Sequence, residues 1–363
     1  MSTLNFPSSR VMAYFQGPRY RVNGCDLYHV NHNATGTSMI LLRSLRRTTA
    51  CAGLTSVMLV FTADRPSAGG MKAWTPERAT AYNAARIDTV PGNGGGIPFG
   101  MFHLARTEFK PPFTGLVLNG RDPQEVLSVL EAARRARMQV FLNMFVSPRT
   151  IKAPDGSFDL DRWKGRIGRF TSVDLEPYIE DGTLVGHYLL DEPQTSRKWN
   201  GKQVPYEDLE AAAEYSKRLW PRLATLVRAD PVFLGKAPIR WIHLDAAWAQ
   251  YASRRGKVEP YVARQVAAAR KAGLGLVLGL NVLDGGDGTS GRRGTKTKYW
   301  AMSPAEVGRY GSVLASEPYA CALLLWKYDA EDTTYFAHPA IQAALGELGR
   351  LATDRPERSC QVS

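Results

Sequence analysis

The chain has 363 residues, of which 44% are hydrophobic and 22% are charged, and these are ordinary values for a globular protein. They exclude a long disordered chain, and four cysteines are too few for a disulfide-built miniprotein. No apolar run reaches the roughly 18 residues that a membrane span needs. The net charge is +12, but we find no Lys/Arg run with interleaved aromatic residues, so we expect no nucleic-acid partner.

The first part of the chain has the order of a secretory signal. Residues 1–38 show no helical or strand periodicity, and Met39 is followed by three arginines, an apolar stretch over 50–61 and several small residues. This pattern is typical of a signal peptide and is too short to span a bilayer. We therefore expect 1–38 to be non-native or unstructured, 39–68 to be the signal, and the protein to be secreted or periplasmic. The alternative is a cytoplasmic protein that buries this stretch as an amphipathic helix.

After a lead-in segment over 69–97, residues 98–360 form one predicted domain. Short, nearly continuous apolar runs are typical of parallel strands that are buried on both faces. There are eight such runs: Phe99–Leu104, Phe113–Asn119, Met138–Met144, Leu184–Leu190, Leu223–Ala229, Trp241–Ala247, Leu274–Leu283 and Ala320–Tyr328.

Amphipathic helices alternate with these strands, and local capping signals mark where several of them begin. Asp122-Pro123 and Ser303-Pro304 each precede a glutamate that stands three residues after the capping side chain. The pattern predicts an α/β protein with a TIM-type (β/α)8 barrel, and a doubly wound parallel sheet is the alternative. The segment between the first two strands is too short for a full helix, so we expect an irregular corner there.

In a barrel of this type, functional groups lie at the carboxyl ends of the strands. Asp191-Glu192-Pro193 is the strongest signal, because two acids end a buried strand, which is costly unless they face a polar cleft. Adjacent residues of an extended chain point to opposite sides, so we expect only Glu192 to face the barrel axis fully. The alternative is that these acids cap the next helix or pair with an arginine.

Further polar and aromatic residues stand near other predicted strand ends, and each also has an ordinary structural explanation as a turn or core residue. They are His103, Asp245, Trp248, Asn281, Asp284, Trp326, Tyr328 and Asp329. The sequence Gly286-Asp287-Gly288-Thr289-Ser290-Gly291 fits a dinucleotide fingerprint, but a basic stretch rather than an apolar helix follows it. We therefore predict no cofactor and no metal site.

These strand ends resemble those of bacterial secreted barrel proteins related in pattern to the clan A glycoside hydrolases. The matching stretches are Pro98–Leu104, Leu190–Pro193, Leu280–Gly286 and Trp326–Asp329. The resemblance covers roughly residues 90–360. It implies an Asn-Glu-Pro step after the fourth strand, whose Glu is the general acid, and a Glu nucleophile after the seventh strand.

In this chain Glu192 matches the acid, Asp191 replaces the Asn that holds a sugar hydroxyl, and Asp284 is the carboxylate nearest to the expected nucleophile. The shorter Asp fits a wider carboxylate separation and hence inversion through a water.

The resulting hypothesis is an exported glycoside hydrolase-like enzyme acting on an oligo- or polysaccharide. Glu192 is the expected acid, Asp284 or Asp245 the base or nucleophile, and the tryptophans stack on sugar. Asp191, His103, Asn281, Tyr328 and Asp329 are expected to bind substrate. A non-catalytic carbohydrate-binding barrel and a cytoplasmic barrel enzyme acting on an anionic metabolite are the alternatives. We expect a monomer.

Cys321 opens the last strand, and the last helix brings Cys360 to the same end of the barrel, so we expect a disulfide between them.

Overall fold

The computed structural model describes residues 95–296, 298–329 and 333–361, together with the backbone of three short strands nearer the amino terminus. The chain divides into a unit over Met1–Ala73 and a larger unit over Trp74–Ser363. In the first unit, β1 (Tyr20–Val22), β2 (Cys25–Asn31) and β3 (Ser38–Arg43) form an antiparallel sheet, although the sequence there shows no strand periodicity. Most of the predicted signal peptide lies outside the described residues.

The second unit is a closed barrel of eight parallel strands in chain order, which confirms the (β/α)8 prediction. Its strands are β4 (Phe99–Phe102), β5 (Gly115–Asn119), β6 (Gln139–Asn143), β7 (Leu184–Asp191), β8 (Ala224–Arg228), β9 (Ala246–Tyr251), β10 (Gly275–Leu280) and β11 (Ala320–Leu325). Nearly every residue of these strands is buried, because the surrounding helices cover the outer face and side chains fill the interior.

Helices connect the strands and form the outer layer. They are α1 (Pro123–Arg135), α2 (Leu160–Gly168), α3 (Glu176–Glu180), α4 (Tyr206–Leu219), α5 (Pro231–Leu234), α6 (Val258–Ala272), α7 (Pro304–Ala315), α8 (Thr334–Ala337) and α9 (Pro339–Thr353). Short 3-10 turns stand at Arg106–Glu108, Pro148–Ile151, Arg169–Ser172, Ser196–Lys198 and Ser253–Arg255. The first of these is the whole helical content between β4 and β5, so the irregular corner is confirmed.

The predicted caps are present. Asp122 accepts hydrogen bonds from the backbone N–H groups of Gln124 and Glu125 at the start of α1. Ser303 and Glu306 form a reciprocal capping box at the start of α7. These local signals work because a capping side chain satisfies N–H groups that the helix itself leaves without partners.

The sixth barrel strand differs from the prediction. The sequence indicated Trp241–Ala247, whereas β9 is Ala246–Tyr251. Trp241 instead donates its indole N–H to the carbonyl of Leu234, the last residue of α5. The apolar run therefore combines a buried loop with the beginning of the strand.

Cys321 and Cys360 form the expected disulfide, with their Cα atoms 5.1 Å apart. The bond joins β11 to the segment that follows α9. Within the described ranges, no helix is long and apolar enough to cross a membrane.

Candidate functional site

The candidate site begins at the carboxyl end of β7, where Asp191 is the last strand residue and Glu192 follows it. On the neighbouring strand β8, Arg228 is the register partner of Asp191. The Glu192 backbone N–H donates to the carbonyl oxygen of Arg228. Two adjacent strands therefore bring two carboxylates and one guanidinium together at the open end of the barrel.

Asp191 is held by three donors. Its carboxylate accepts from Arg228 Nε at 2.5 Å, from Lys198 Nζ at 2.7 Å and from the Tyr188 hydroxyl at 2.7 Å. Burial opposes ionisation here, but the charges of Arg228 and Lys198 hold the pKa of Asp191 well below its usual range. Asp191 is therefore a permanently ionised anchor for the two cations.

Glu192 contacts the same two cations from a more open position. Its Oε2 lies 2.6 Å from Lys198 Nζ, and its Oε1 lies 3.2 Å from Arg228 Nη2. The Glu192 side chain is 33% exposed, whereas that of Asp191 is 19% exposed. Of the two acids, Glu192 is thus the one with more surface at the opening.

The expectation that the two acids point to opposite sides of the chain is wrong, and the backbone gives two reasons. The pairing of β7 with β8 shifts register between Tyr188 and Leu190, which allows Tyr188 and Asp191 to meet. Glu192 has a φ of +49°, so the extended conformation on which alternation depends ends there.

Arg228 is the centre of this cluster, which we call the mouth cluster: Asp191, Glu192, Lys198 and Arg228. The Arg228 side chain is 9% exposed, and its Nη1 donates to the side-chain oxygen of Gln250 on β9. Its guanidinium carbon lies 5.2 Å from the centre of the Trp326 ring. Burial alone would lower the pKa of Arg228, but the negative charge of Asp191 raises it above the usual value.

Aromatic side chains fill the barrel beneath the mouth cluster. Phe102 stacks on Trp248 with ring centres 4.9 Å apart and meets Trp326 edge-on at 4.8 Å. Trp248 is 1% exposed, so it is a core residue and does not offer the sugar-stacking surface expected of it. Trp326 is only partly buried, and Arg228, which contacts Glu192, lies over its ring.

Tyr328 is also a packing residue. It is 8% exposed, and its ring stacks on Phe336 of α8 with ring centres 5.1 Å apart. Its backbone N–H donates to the carbonyl of Phe102. The expected contact of Tyr328 with substrate therefore has no exposed ring to support it.

His103 lies beside Trp326 at the opening. The two rings meet edge-on with centres 6.4 Å apart, and Asn119 Nδ2 lies 3.4 Å from His103 Nε2. The ring is partly open to solvent, yet desolvation and the positive charges of Lys327 and Arg121 lower the pKa of His103. It is therefore a neutral polar group at neutral pH.

Asp284, the expected partner of Glu192, is buried in the β10–α7 loop. Its carboxylate accepts from the Thr295 hydroxyl at 2.5 Å and from the Lys296 backbone N–H at 3.0 Å. Its own N–H donates to the side-chain oxygen of Asn281. Asp284 and Asn281 thus fold this loop, and the Asp284 carboxylate is occupied by that task.

Asp245, the other expected partner, does not lie at this end of the barrel. It immediately precedes β9, so it stands at the amino-terminal end of the strand. There it forms an ion pair with Lys217 at 2.6 Å and accepts from Thr225 at the start of β8. Burial raises the pKa of Asp245.

Asp329 follows β11, with its carboxylate 3.9 Å from Lys327 Nζ. Because β7 and β11 stand four places apart in an eight-stranded ring, Asp329 and Glu192 come from opposite sides of the opening. The structure therefore groups Asp191, Glu192, Trp326 and His103 around the opening, while Asp284 and Trp248 are buried and Asp245 is at the far end.

Sequence reasoning did not single out Lys198 or Gln250. Lys198 ends a 3-10 turn, and that turn follows Pro193 with no periodic signal. Gln250 stood beyond the strand that the sequence predicted, although the correct bounds of β9 would have placed it at a strand end. Among the residues that the structure describes, no cluster of three or more His, Cys, Asp or Glu side chains is placed to hold a metal ion.

Comparison with solved structures places the fold among known barrels. The β-glucanase SdGluc5_26A from Saccharophagus degradans, in complex with cellotetraose, aligns with a TM-score of 0.51 and 12% identity, covering 72% of this chain and 89% of that one. A putative glycoside hydrolase from Parabacteroides distasonis aligns with a TM-score of 0.47 and 10% identity, covering 73% and 95%. No protein-family model and no curated protein sequence matches this chain. At sequence identities of 10–12%, this similarity concerns the fold alone.

Proposed function

We propose that this chain is a glycoside hydrolase-like enzyme that binds an oligo- or polysaccharide across the open end of its barrel, with Glu192 as the general acid. The observation that carries the proposal is the position of Glu192. Its partly exposed carboxylate stands at the carboxyl end of β7 and contacts Arg228, which Asp191 anchors and which lies over the Trp326 ring. Glycoside hydrolysis requires such a carboxyl group next to the scissile bond.

We assign Asp329 as the second carboxylate. Asp284 is buried within its own loop and Asp245 lies at the opposite end of the barrel, whereas Asp329 stands across the opening from Glu192. A carboxylate on the opposite side leaves room for a water, as inversion requires. Trp326 would then stack on the apolar face of a sugar, and the neutral His103 would hydrogen-bond to its hydroxyl groups.

A non-catalytic carbohydrate-binding barrel is the second candidate. It is favoured by one observation: Lys198 and Arg228 already contact both carboxylates of the mouth cluster. A site whose acids act only as hydrogen-bond acceptors for sugar hydroxyls has no need of a free proton donor.

Replacing Glu192 with Gln separates these two functions. General acid catalysis typically contributes about 10²–10⁴-fold, so Glu192→Gln should lower the hydrolysis rate by about that factor while glycan affinity is retained. The measurement is reducing-sugar release from a panel of polysaccharides across a pH range, with affinity measured separately by calorimetry.

Glu108→Gln is the matched control, because Glu108 lies at the same end of the barrel but pairs with Lys110 away from the mouth cluster. It should keep the full rate. A folded Asp191→Asn variant without activity, combined with a fully active Glu192→Gln, would reverse the two carboxylates. Wild-type binding without any hydrolysis would support the binding-only candidate.

We also propose that the protein is exported and that its mature chain begins after the segment 39–68. The order of arginines, apolar residues and small residues supports a signal, and the Cys321–Cys360 disulfide fits an oxidising compartment. Amino-terminal sequencing of protein made in its own host should give a start beyond this segment. An intact Met1 in a cytoplasmic fraction would contradict export.

A further inference from the structure

Two neighbouring loops at the open end of the barrel are rich in positive charge. The β9–α6 loop (252–257) contains three basic residues and no acid, and the β10–α7 loop (281–303) contains four basic residues and two acids. The Ser253 backbone N–H donates to the carbonyl of Gly285, so the loops touch. We call their basic residues the basic rim: Arg254, Arg255, Lys257, Arg292, Arg293, Lys296 and Lys298.

Seven basic residues against two acids, Asp284 and the exposed Asp287, leave these loops with a net charge of +5. Asp284 is buried, and its carboxylate is turned into its own loop toward Thr295. Among the described residues, Arg254, Lys257, Lys296 and Lys298 form no ion pair with a carboxylate, whereas Arg255 pairs with Asp230. All four of these unpaired cations are exposed.

A cleft of about 700 Å³ opens beside the rim. Three cations, Arg254, Lys257 and Arg309, line it together with Tyr251, Tyr310 and two acids, Glu259 and Asp287. The volume lies in the range of small-molecule sites. Tyr251 ends β9, so the cleft lies next to the barrel opening.

The opposite end of the barrel has no comparable excess of charge. The six loops that lead from helices into the next strands (136–138, 181–183, 220–223, 235–245, 273–274 and 316–319) contain four basic and three acidic residues. The rim is therefore a local feature of one sector of the open end and not a consequence of the net charge of +12 alone.

We infer that the basic rim binds the acidic groups, carboxylate or sulfate, of a polyanionic glycan, so that the substrate of the proposed enzyme is an anionic polysaccharide. The inference rests on the proposed function for the place of cleavage. Cations without carboxylate partners attract a polyanion over a distance and raise its rate of association. Glu192 follows β7 and the rim loops follow β9 and β10, so both stand at the carboxyl end of the barrel strands.

Nucleic acid is the other polyanion to consider, and the aromatic residues of the rim disfavour it. Single-stranded nucleic acids bind by stacking bases on open rings. Arg254 and Lys298 lie over the Tyr299 ring, 4.6 Å and 5.0 Å from its centre, and Arg293 lies over the Trp300 ring, 3.6 Å from its centre. These rings already hold cations in place for an anionic group.

The test compares two triple variants of the full chain, each made in the Glu192→Gln background so that substrate stays intact. One removes rim charge by Lys257→Gln, Lys296→Gln and Lys298→Gln. The matched control removes three exposed charges at the opposite end by Arg137→Gln, Lys236→Gln and Arg240→Gln. Calorimetry then measures binding of polygalacturonate, dextran sulfate, cellotetraose and single-stranded DNA at low and high salt.

We expect one or both acidic glycans to bind, with an affinity that falls as salt rises. The rim variant should bind them about tenfold more weakly, because it lacks three exposed charges that attract the polyanion, while the affinity of the control variant stays within about twofold of that of the parent. Unchanged affinity in the rim variant, or rim-dependent binding of DNA that is tighter than that of either acidic glycan, would overturn the inference. Rim-dependent glycan binding without hydrolysis by the wild-type chain would uphold the inference and reject the proposed enzyme.

Discussion

Arg228 shows how a single residue sets the character of the opening. A buried guanidinium is costly unless it is paired, and Asp191, Glu192 and Gln250 supply its partners. Replacing Asp191 by Asn leaves that charge less compensated, so any loss of activity in such a variant must be read together with its stability. Glu192→Gln changes the more exposed carboxylate and leaves the Asp191 anchor in place, which makes it the cleaner test.

His187 gives the fold a pH dependence of its own. Its ring is buried on β7, stacks on Trp163, and places Nδ1 2.7 Å from the Ser216 hydroxyl, while Nε2 has no hydrogen-bond partner. Burial lowers the pKa of His187 to about 3. The unfolded chain, with a pKa of about 6.5, therefore binds a proton that the folded chain excludes between these values.

Stability from His187 is thus fully present above about pH 6.5 and is lost as the pH falls toward 3. Between about pH 6.5 and 4.5 the free energy of unfolding should fall by about 2–3 kcal/mol from this group. Urea unfolding at several pH values measures it. His187→Phe, which keeps a ring but cannot titrate, should flatten the curve. A His187→Phe variant whose stability falls with pH as steeply as that of the wild-type protein would contradict this assignment.

For single residues, the sequence predicted the location of the polar groups more accurately than the role of each group. Asp191 and Glu192 were found because charge rarely ends a buried strand without a reason. Their shared contact with Lys198 was not predictable, because it depends on a register shift in β7 and on the left-handed backbone of Glu192. Neither feature leaves a signal in residue type.

Among the elements, β9 shows why a boundary error matters for function. The apolar run that begins at Trp241 predicted a strand whose carboxyl end lay near Asp245 and Trp248. The true strand begins five residues later, at Ala246, which moves Asp245 to the opposite end of the barrel and Trp248 into the interior. Apolar runs report burial, and a buried loop gives the same pattern as a strand.

Capped helices were predicted with greater accuracy, because their signals are local. Ser303 and Glu306 are only three residues apart and satisfy each other's backbone donors whatever the remaining fold does. The β10–α7 loop is the contrary case. Its fold depends on Asp284 reaching Thr295, eleven residues away, so Asp284 resembled a catalytic acid in sequence and is a loop residue in the structure.

At the scale of the whole molecule, the alternation of strands and helices predicted a parallel α/β architecture, either a closed barrel or a doubly wound sheet. Eight apolar runs separated by helices have few arrangements in which every strand is buried on both faces, and the closed parallel barrel is one. For the same reason the sequence alone indicates which end of the barrel is the open one. The sequence does not predict the difference in charge between the two ends, because that difference depends on which loops are neighbours in space.

The segment after α9 lies against the end of the barrel opposite the opening, where the disulfide holds it. Arg355 donates to the carbonyls of Ala315 and Ala320, and Gln361 donates to the carbonyl of Arg222. The Cys360 carbonyl lies so close to Gly275 that a Cβ there would meet it at 2.5 Å. This C-terminal segment therefore contacts α7, β11, β10 and the turn before β8.

Removing the disulfide should consequently destabilise the barrel as a whole. Cys321 and Cys360 are 39 residues apart in sequence, and for a loop of that length the chain-entropy estimate is roughly 4 kcal/mol. Cys321→Ala with Cys360→Ala should lower the free energy of urea unfolding by up to that amount, and reduction of the wild-type protein should have a similar effect. The double variant is the control for the reductant, because adding reductant should not change the unfolding midpoint of a chain that lacks this disulfide. Two free thiols in the purified native protein, or equal midpoints for the wild-type and double-variant chains, would show that the C-terminal segment is held by its hydrogen bonds and packing alone.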